Sequence, residues 1–155
     1  MRPVLKIVRQ TRMDSRLESR YRVFDHTADV GVEVAGKTVE ELFVNAAFAV
    51  GDLIADRENI RITEVRRIVT EGMDWEDLLV NYLREVLYLF SGEGLLLSDY
   101  VITEIEPWRL VGEVGGEPFA PGRHRIKTEI KAVTYHQALV RQTEEGWIGR
   151  VVFDV

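Results

Sequence analysis

The chain has 155 residues, 46% of them hydrophobic and 30% charged, a balance that fits one folded domain with a sizeable core and excludes a disordered or fibrous chain. It has no cysteine, which removes disulfides, thiolate metal sites and cysteine nucleophiles. Its net charge of −6 removes a global basic footprint for nucleic acid and leaves room only for a local patch.

The charge is unevenly spread. Residues 1–20 hold Arg2, Lys6, Arg9, Arg12, Arg16 and Arg20 against Asp14 and Glu18, a net of +4, so residues 21–155 carry −10. The expected organisation is a basic, weakly ordered N-terminal extension over 1–20 and a single domain over 21–155. The lead lacks the apolar core of a secretory signal, because Val4-Leu5-Lys6-Ile7-Val8 is short and interrupted. Met13 could serve as an alternative start. No run approaches the roughly 20 apolar residues of a membrane span, so no membrane partner and a cytoplasmic location are expected.

Residues 21–34 read as extended, with Val30, Val32 and Val34 alternating with Gly31, Glu33 and Ala35. Gly36-Lys37 turns the chain. Thr38-Val39-Glu40-Glu41 matches a capping box, and Leu42, Phe43, Ala46, Ala47, Val50, Leu53 and Ile54 follow at spacings of three and four. This predicts an amphipathic helix of about four turns. Residues 60–71 read as a strand. Asp74 is the expected N-cap of a second helix with Leu78, Leu79, Tyr82, Leu83, Val86, Leu87 and Phe90 on its apolar face. The glycines of Ser91-Gly92-Glu93-Gly94 suit a left-handed cap.

From residue 95 the pattern turns to strands: Leu95 to Ile105, then Trp108 to Gly112 with a turn at Gly115-Gly116. Pro118, Pro121 and Gly122 mark a loop closed by Arg123-His124-Arg125, read as solvated although RNA or an acidic partner would suit it. Glu129 to Gln142 and Trp147 to Val155, joined by Thr143-Glu144-Glu145-Gly146, form a hairpin. The fold class is α+β: two amphipathic helices on one face of a mostly antiparallel sheet.

Chemistry concentrates in three places. Asp25-His26-Thr27-Ala28-Asp29 puts two carboxylates and an imidazole within five residues, and on one extended strand Asp25, Thr27 and Asp29 share a face opposite His26. Carboxylates suit a hard cation such as Ca²⁺ or Mg²⁺, while solvated acids at a strand entry are the plainer account. The closing strand brings the Asp154 side chain beside the carboxylate of Val155, and such neighbours need a cation, a base or water between them. In Glu129–His136, Lys131 is able to pair with carboxylates or hold a phosphate, and His136 is a strand histidine with an ordinary structural explanation. No Ser-His-Asp order, P-loop or GxGxxG motif is present.

Together these segments resemble the archease family. The resemblance rests on Asp25-His26-Thr27-Ala28-Asp29-Val30-Gly31, Thr38 to Phe43, Asp77-Leu78-Leu79 with Leu83 to Leu87, Glu129 to His136, and Val152-Phe153-Asp154-Val155. It covers 21–155, is weak over 95–125 and omits the basic lead. It implies an activator rather than a stand-alone enzyme. The partner would be the tRNA-splicing RNA ligase, which joins a 2′,3′-cyclic phosphate end to a 5′-hydroxyl. The activator promotes guanylylation of the ligase histidine and multiple turnover, and meets GTP and RNA only through the ligase. It also implies a divalent metal, usually calcium, at Asp29, Asp154 and Val155, with Lys131 as a functional lysine and Asp25, His26 and His136 facing the partner. The fold's likeness to part of a heat-shock chaperone gives an alternative, a chaperone or adaptor for RNA-processing enzymes. A stand-alone metal-dependent phosphohydrolase is a third reading, weakened by the lack of a general base with an orienting partner.

Overall fold

The computed structural model describes residues 21–26 and 29–155, with Asp25 and His26 as backbone alone. The expected N-terminal extension, Met13 included, and Thr27-Ala28 lie outside the described residues.

β1 (Tyr21–His26) and β2 (Asp29–Gly36) pair antiparallel, from Tyr21 opposite Val34 to His26 opposite Asp29. The stretch 21–34 is therefore not one extended strand, and Asp25 falls opposite Val30. α1 (Val39–Ile54) opens on the expected cap. Thr38 Oγ1 accepts the Glu41 amide at 3.1 Å, and the Glu41 carboxylate accepts the Lys37 amide at 2.9 Å. Every side chain from Leu42 to Val50 is buried, so α1 has no solvent face there and must be covered on several sides. Its one polar residue in that stretch, Asn45, donates to the Ala35 carbonyl at 2.7 Å.

A 3₁₀ turn at Arg57–Asn59 leads to β3 (Glu64–Glu71). The strand expected from residue 60 starts later because the Arg61 amide donates to the Glu117 carboxylate at 2.7 Å instead of to a strand partner. α2 (Trp75–Ser91) is capped by Asp74, whose side chain accepts the Asp77 amide at 2.8 Å, and Gly94 takes the left-handed conformation at φ 72° after the helix. β4 (Leu95–Glu106), β5 (Arg109–Pro118), β6 (Ala132–Thr143) and β7 (Gly146–Asp154) complete the described elements.

The strands divide into two antiparallel sheets, ordered β1-β2-β7-β6 and β3-β5-β4. The helices lie between them. α1 packs on β2 and β7 of the first sheet and on β4 of the second, while α2 packs on β6, β3 and β4. The α+β class of two helices on antiparallel sheets holds, and the buried length of α1 is the reason for a second sheet. Edge-to-face rings tie the layers together, Phe43 to Trp75 at 6.0 Å and Trp75 to Trp147 at 5.5 Å.

Two details depart from simple strand reading. No turn forms at Gly115-Gly116, because β5 runs straight through both. A Cβ at Gly116 would lie 1.7 Å from the Leu96 carbonyl oxygen, so this glycine serves close backbone approach. β6 begins at Ala132 rather than Glu129 and loses register with β7 between Thr134 and Leu139, with Gln137 at φ 58°. That irregularity is a bulge, and it ends the simple alternation of side chains before Tyr135. No helix among the described residues is long and apolar enough to cross a membrane.

Candidate functional site

The sheet register assembles the site. Asp29, first residue of β2, stands directly opposite Asp154, last residue of β7, and Asp154 in turn stands opposite Ala132 of β6. His26 of β1 is opposite Asp29. Four strands thus contribute one row at one end of the sheet. Directly opposed residues carry their Cβ atoms on the same face, roughly 5 Å apart, so the two aspartates form a carboxylate pair. Lys131 joins them through the main chain, its amide donating to the Asp154 carbonyl at 2.7 Å, and its side chain is exposed. Val155 follows Asp154 and offers only main-chain oxygen.

Three expected neighbours fare differently. His26 holds the register position across from Asp29 instead of the far face of a common strand, and Asp25 lies one step further along β1. His136 falls within the β6 bulge, where its amide donates to Thr134 Oγ1 at 3.3 Å, and it takes no place in the row. The bulge instead delivers Tyr135 to α2: its hydroxyl donates to Asp77 at 2.5 Å and its ring lies 4.7 Å from the Arg84 guanidinium. That hydroxyl, with the Met73 amide, holds the Asp77 carboxyl below its ordinary range, and the same carboxylate raises the Tyr135 phenol.

Next to the carboxylate pair the sheet is firmly built. Gly31, two residues after Asp29, leaves room for the Phe24 ring, which would sit 2.1 Å from a Cβ there. The Arg150 guanidinium lies 5.5 Å from that ring's centroid and pairs with Glu33 at 2.9 Å, while Arg22 pairs with Glu33 from β1. Arg22 first and Arg150 second hold the Glu33 carboxyl below its ordinary range.

Sequence reasoning named Arg123 and His124 only as members of a solvated loop and missed their partner Glu117. Glu117 and His124 are buried, 4% and 5% exposed. One Glu117 oxygen accepts from Arg123; the other accepts the Arg61 amide and lies 3.0 Å from His124 Nε2. The Ala120 amide donates to His124 Nδ1 at 2.9 Å, so that nitrogen carries no proton and Nε2 is the donor to Glu117. Arg123, the Arg61 amide and His124 together bring the Glu117 carboxyl down to about 2. The loop expected to be solvated is clasped by this network. Its residues sit in a Pro/Gly-rich stretch with no periodicity, so no sequence signal linked Glu117 to His124.

Chemically, a pair of aspartates with main-chain oxygen beside it is a hard-oxygen donor set that suits Ca²⁺ or Mg²⁺. No group of three or more His, Asp or Glu side chains among the described residues stands close enough to hold a metal. A cation at this end would therefore need the main-chain oxygen of Val155 beside the two carboxylates. On that donor chemistry the residues fit the group.

The comparisons with known proteins bear on the same span. The family model described as the Archease protein family (MTH1598/TM1083) matches residues 21–155. The protein archease of Methanopyrus kandleri is 38% identical over 134 residues, covering 84% of this chain and 96% of the relative. The solution structure of protein 1598 from Methanobacterium thermoautotrophicum superposes with a TM-score of 0.75 at 31% identity, covering 88% of this chain and 99% of that one. The crystal structure of an archease from Thermotoga maritima, described there as a possible chaperone, shares the fold with a TM-score of 0.62 at 23% identity, covering 85% and 94%.

Proposed function

The chain belongs to the archease family, and from that premise we propose that it activates the tRNA-splicing RNA ligase, promoting guanylylation of the ligase histidine and multiple turnover, rather than turning over substrate itself. The observation that carries the reading is the register of Asp29 against Asp154, with Lys131 bound to the Asp154 main chain. Asp29, Asp154 and the Val155 main chain would hold a divalent cation, calcium on this reading. The cation's chemistry there is fixed positive charge for a phosphate oxygen. The protein's own part is positional. The Lys131 amide ties the residue before β6 to the Asp154 main chain, and Phe24, Arg150 and Glu33 stiffen the strands nearby. An acidic tip of this kind docks on a basic, RNA-handling enzyme by charge complementarity, and GTP and RNA are met through that enzyme. The setting is the cytoplasm.

The test is ligase turnover with Asp29→Ala or Asp154→Ala protein whose circular dichroism matches wild type. Turnover should fall to about one event per ligase. Full multiple turnover with both variants refutes the proposal. The chaperone or adaptor alternative draws on a different observation, the exposed apolar residues Ile62, Val65 and Val69 on and before the edge strand β3. It predicts that unrelated clients are kept from aggregating, with or without chelator.

A further inference from the structure

The body of this protein is acidic, yet residues 123–131 carry four basic side chains, Arg123, Arg125, Lys127 and Lys131, against the single acid Glu129. The structure gives that segment a regular form. Exposure alternates residue by residue: Arg123, Arg125, Lys127, Glu129 and Lys131 face solvent, while His124 and Ile130 are buried and Ile126 and Thr128 are partly covered. This is the period-two pattern of an extended chain. The run is pinned along its length. His124 is clasped by Glu117, Ile126 bridges to Ala55, the Lys127 amide donates to the Ile54 carbonyl at 2.7 Å, and the Lys131 amide donates to the Asp154 carbonyl at 2.7 Å. It therefore runs as a fixed strip from the end of α1 to the carboxylate pair.

Of the outward side chains, Arg123 is committed to Glu117 and to the Asn59 carbonyl. Lys127 keeps a loose pair with Asp56 at 3.3 Å, both partly exposed, and such a pair is worth little. Arg125 and Lys131 are exposed. Alternate residues of an extended chain are about 6.7 Å apart, close to the separation of successive phosphates along an extended single strand. Arg125 and Lys127 match that spacing, Glu129 interrupts the row, and Lys131 resumes it beyond the acid.

We propose that residues 125–131 form a binding strip for the phosphate backbone of a single-stranded nucleic acid, with Arg125, Lys127 and Lys131 as its contacts. The strip is sequence-blind, because backbone contacts carry no base information. It acts independently of any ligase and goes beyond the activator reading. Its intrinsic affinity is low and salt-sensitive, since few phosphates are neutralised. Tethering to a partner that holds the same strand would raise its effect through effective concentration.

The test is fluorescence anisotropy of a labelled ten-nucleotide single-stranded RNA, and of the matching DNA, titrated with the full chain across a salt series. The double substitution Arg125→Glu/Lys127→Glu is compared with Lys37→Glu/Arg141→Glu, which changes net charge equally at other exposed positions. The strip variant should bind at least tenfold more weakly, and its salt slope should fall by about 1.4, at about 0.7 for each phosphate no longer neutralised. Arg125→Gln/Lys127→Gln should show a smaller loss in the same direction. Equal binding to RNA and DNA supports a backbone strip. Equal loss in both charge-reversed doubles, no binding by wild type at low salt, or equally tight binding of a poly-glutamate probe of the same charge each overturns the proposal.

Discussion

Replacing Glu117 by Gln removes one charge and leaves the shape of the side chain in place. Glu117 is 4% exposed and holds Arg123, the Arg61 amide and His124 on its two oxygens. Its carboxyl is lowered from 4.5 to about 2, with Arg123 the largest cause. A depressed folded-state value stabilises the fold above the unfolded value and loses that stabilisation as pH falls through the folded one. At about 1.4 kcal/mol per pH unit the full lowering corresponds to roughly 3 kcal/mol. The partner Arg123 is 37% exposed, so screening lowers the expected figure to about 2 kcal/mol. Urea unfolding of wild type and Glu117→Gln at pH 7, 5, 4 and 3 measures it. The difference should be about 2 kcal/mol at pH 7 and 5 and shrink steadily below pH 4.5. A difference under about 0.5 kcal/mol at pH 7, or one that stays constant down to pH 3, refutes the reasoning, because it would mean the carboxylate's charge contributes nothing to the clasp.

Gly116→Ala should destabilise the protein by about 3 kcal/mol in the same assay, because the new methyl meets the Leu96 carbonyl oxygen at 1.7 Å and β4 has to move away; wild-type stability would remove the packing account of this glycine. Asp154→Asn should raise stability in chelator by about 0.5 kcal/mol, since like charges directly opposite on neighbouring strands repel. It should also lose most of the stabilisation that millimolar calcium gives wild type, which reaches about 2.7 kcal/mol at a hundredfold excess over the dissociation constant; equal calcium stabilisation of both proteins would place the cation elsewhere.

What the sequence made legible follows from local rules. The cap at Thr38 and Glu41, the N-cap at Asp74 and the closing hairpin of β6 and β7 all depend on residues within a few positions of one another. So does the left-handed Gly94. The failures share a different cause. Asp25 to Asp29 contains no glycine or Asn-Gly pair, so nothing marked the reversal that makes β1 and β2 a hairpin. Gly115-Gly116 reads as a turn until the approach of β4 is known. Glu117 and His124 find each other through a loop packed on α1's end, and the β6 bulge that moves Tyr135 onto Asp77 answers to α2, not to its own neighbours. For the candidate site, each aspartate was visible as a residue type. Their juxtaposition was not, because it depends on which strands are neighbours in the sheet.

That juxtaposition also explains why the pair is informative. A sheet has many ways to end a strand pair, and two aspartates opposite one another is an unfavourable one. The surrounding structure holds the register firm. Phe24 over Gly31, with its ring against an Arg150 that Glu33 holds in place, fixes it two residues away, and the Lys131 amide fixes the Asp154 main chain from the other side. A slip of one residue would carry each aspartate to the other face, yet that slip would also turn Val32 and Val34 away from the helices and Phe153 out of the core. The burial of those apolar side chains is worth far more than the repulsion of one carboxylate pair. The hydrophobic alternation of β2 and β7 therefore holds the two charges together, and a cation, a basic partner surface or both is what can turn that enforced repulsion into binding.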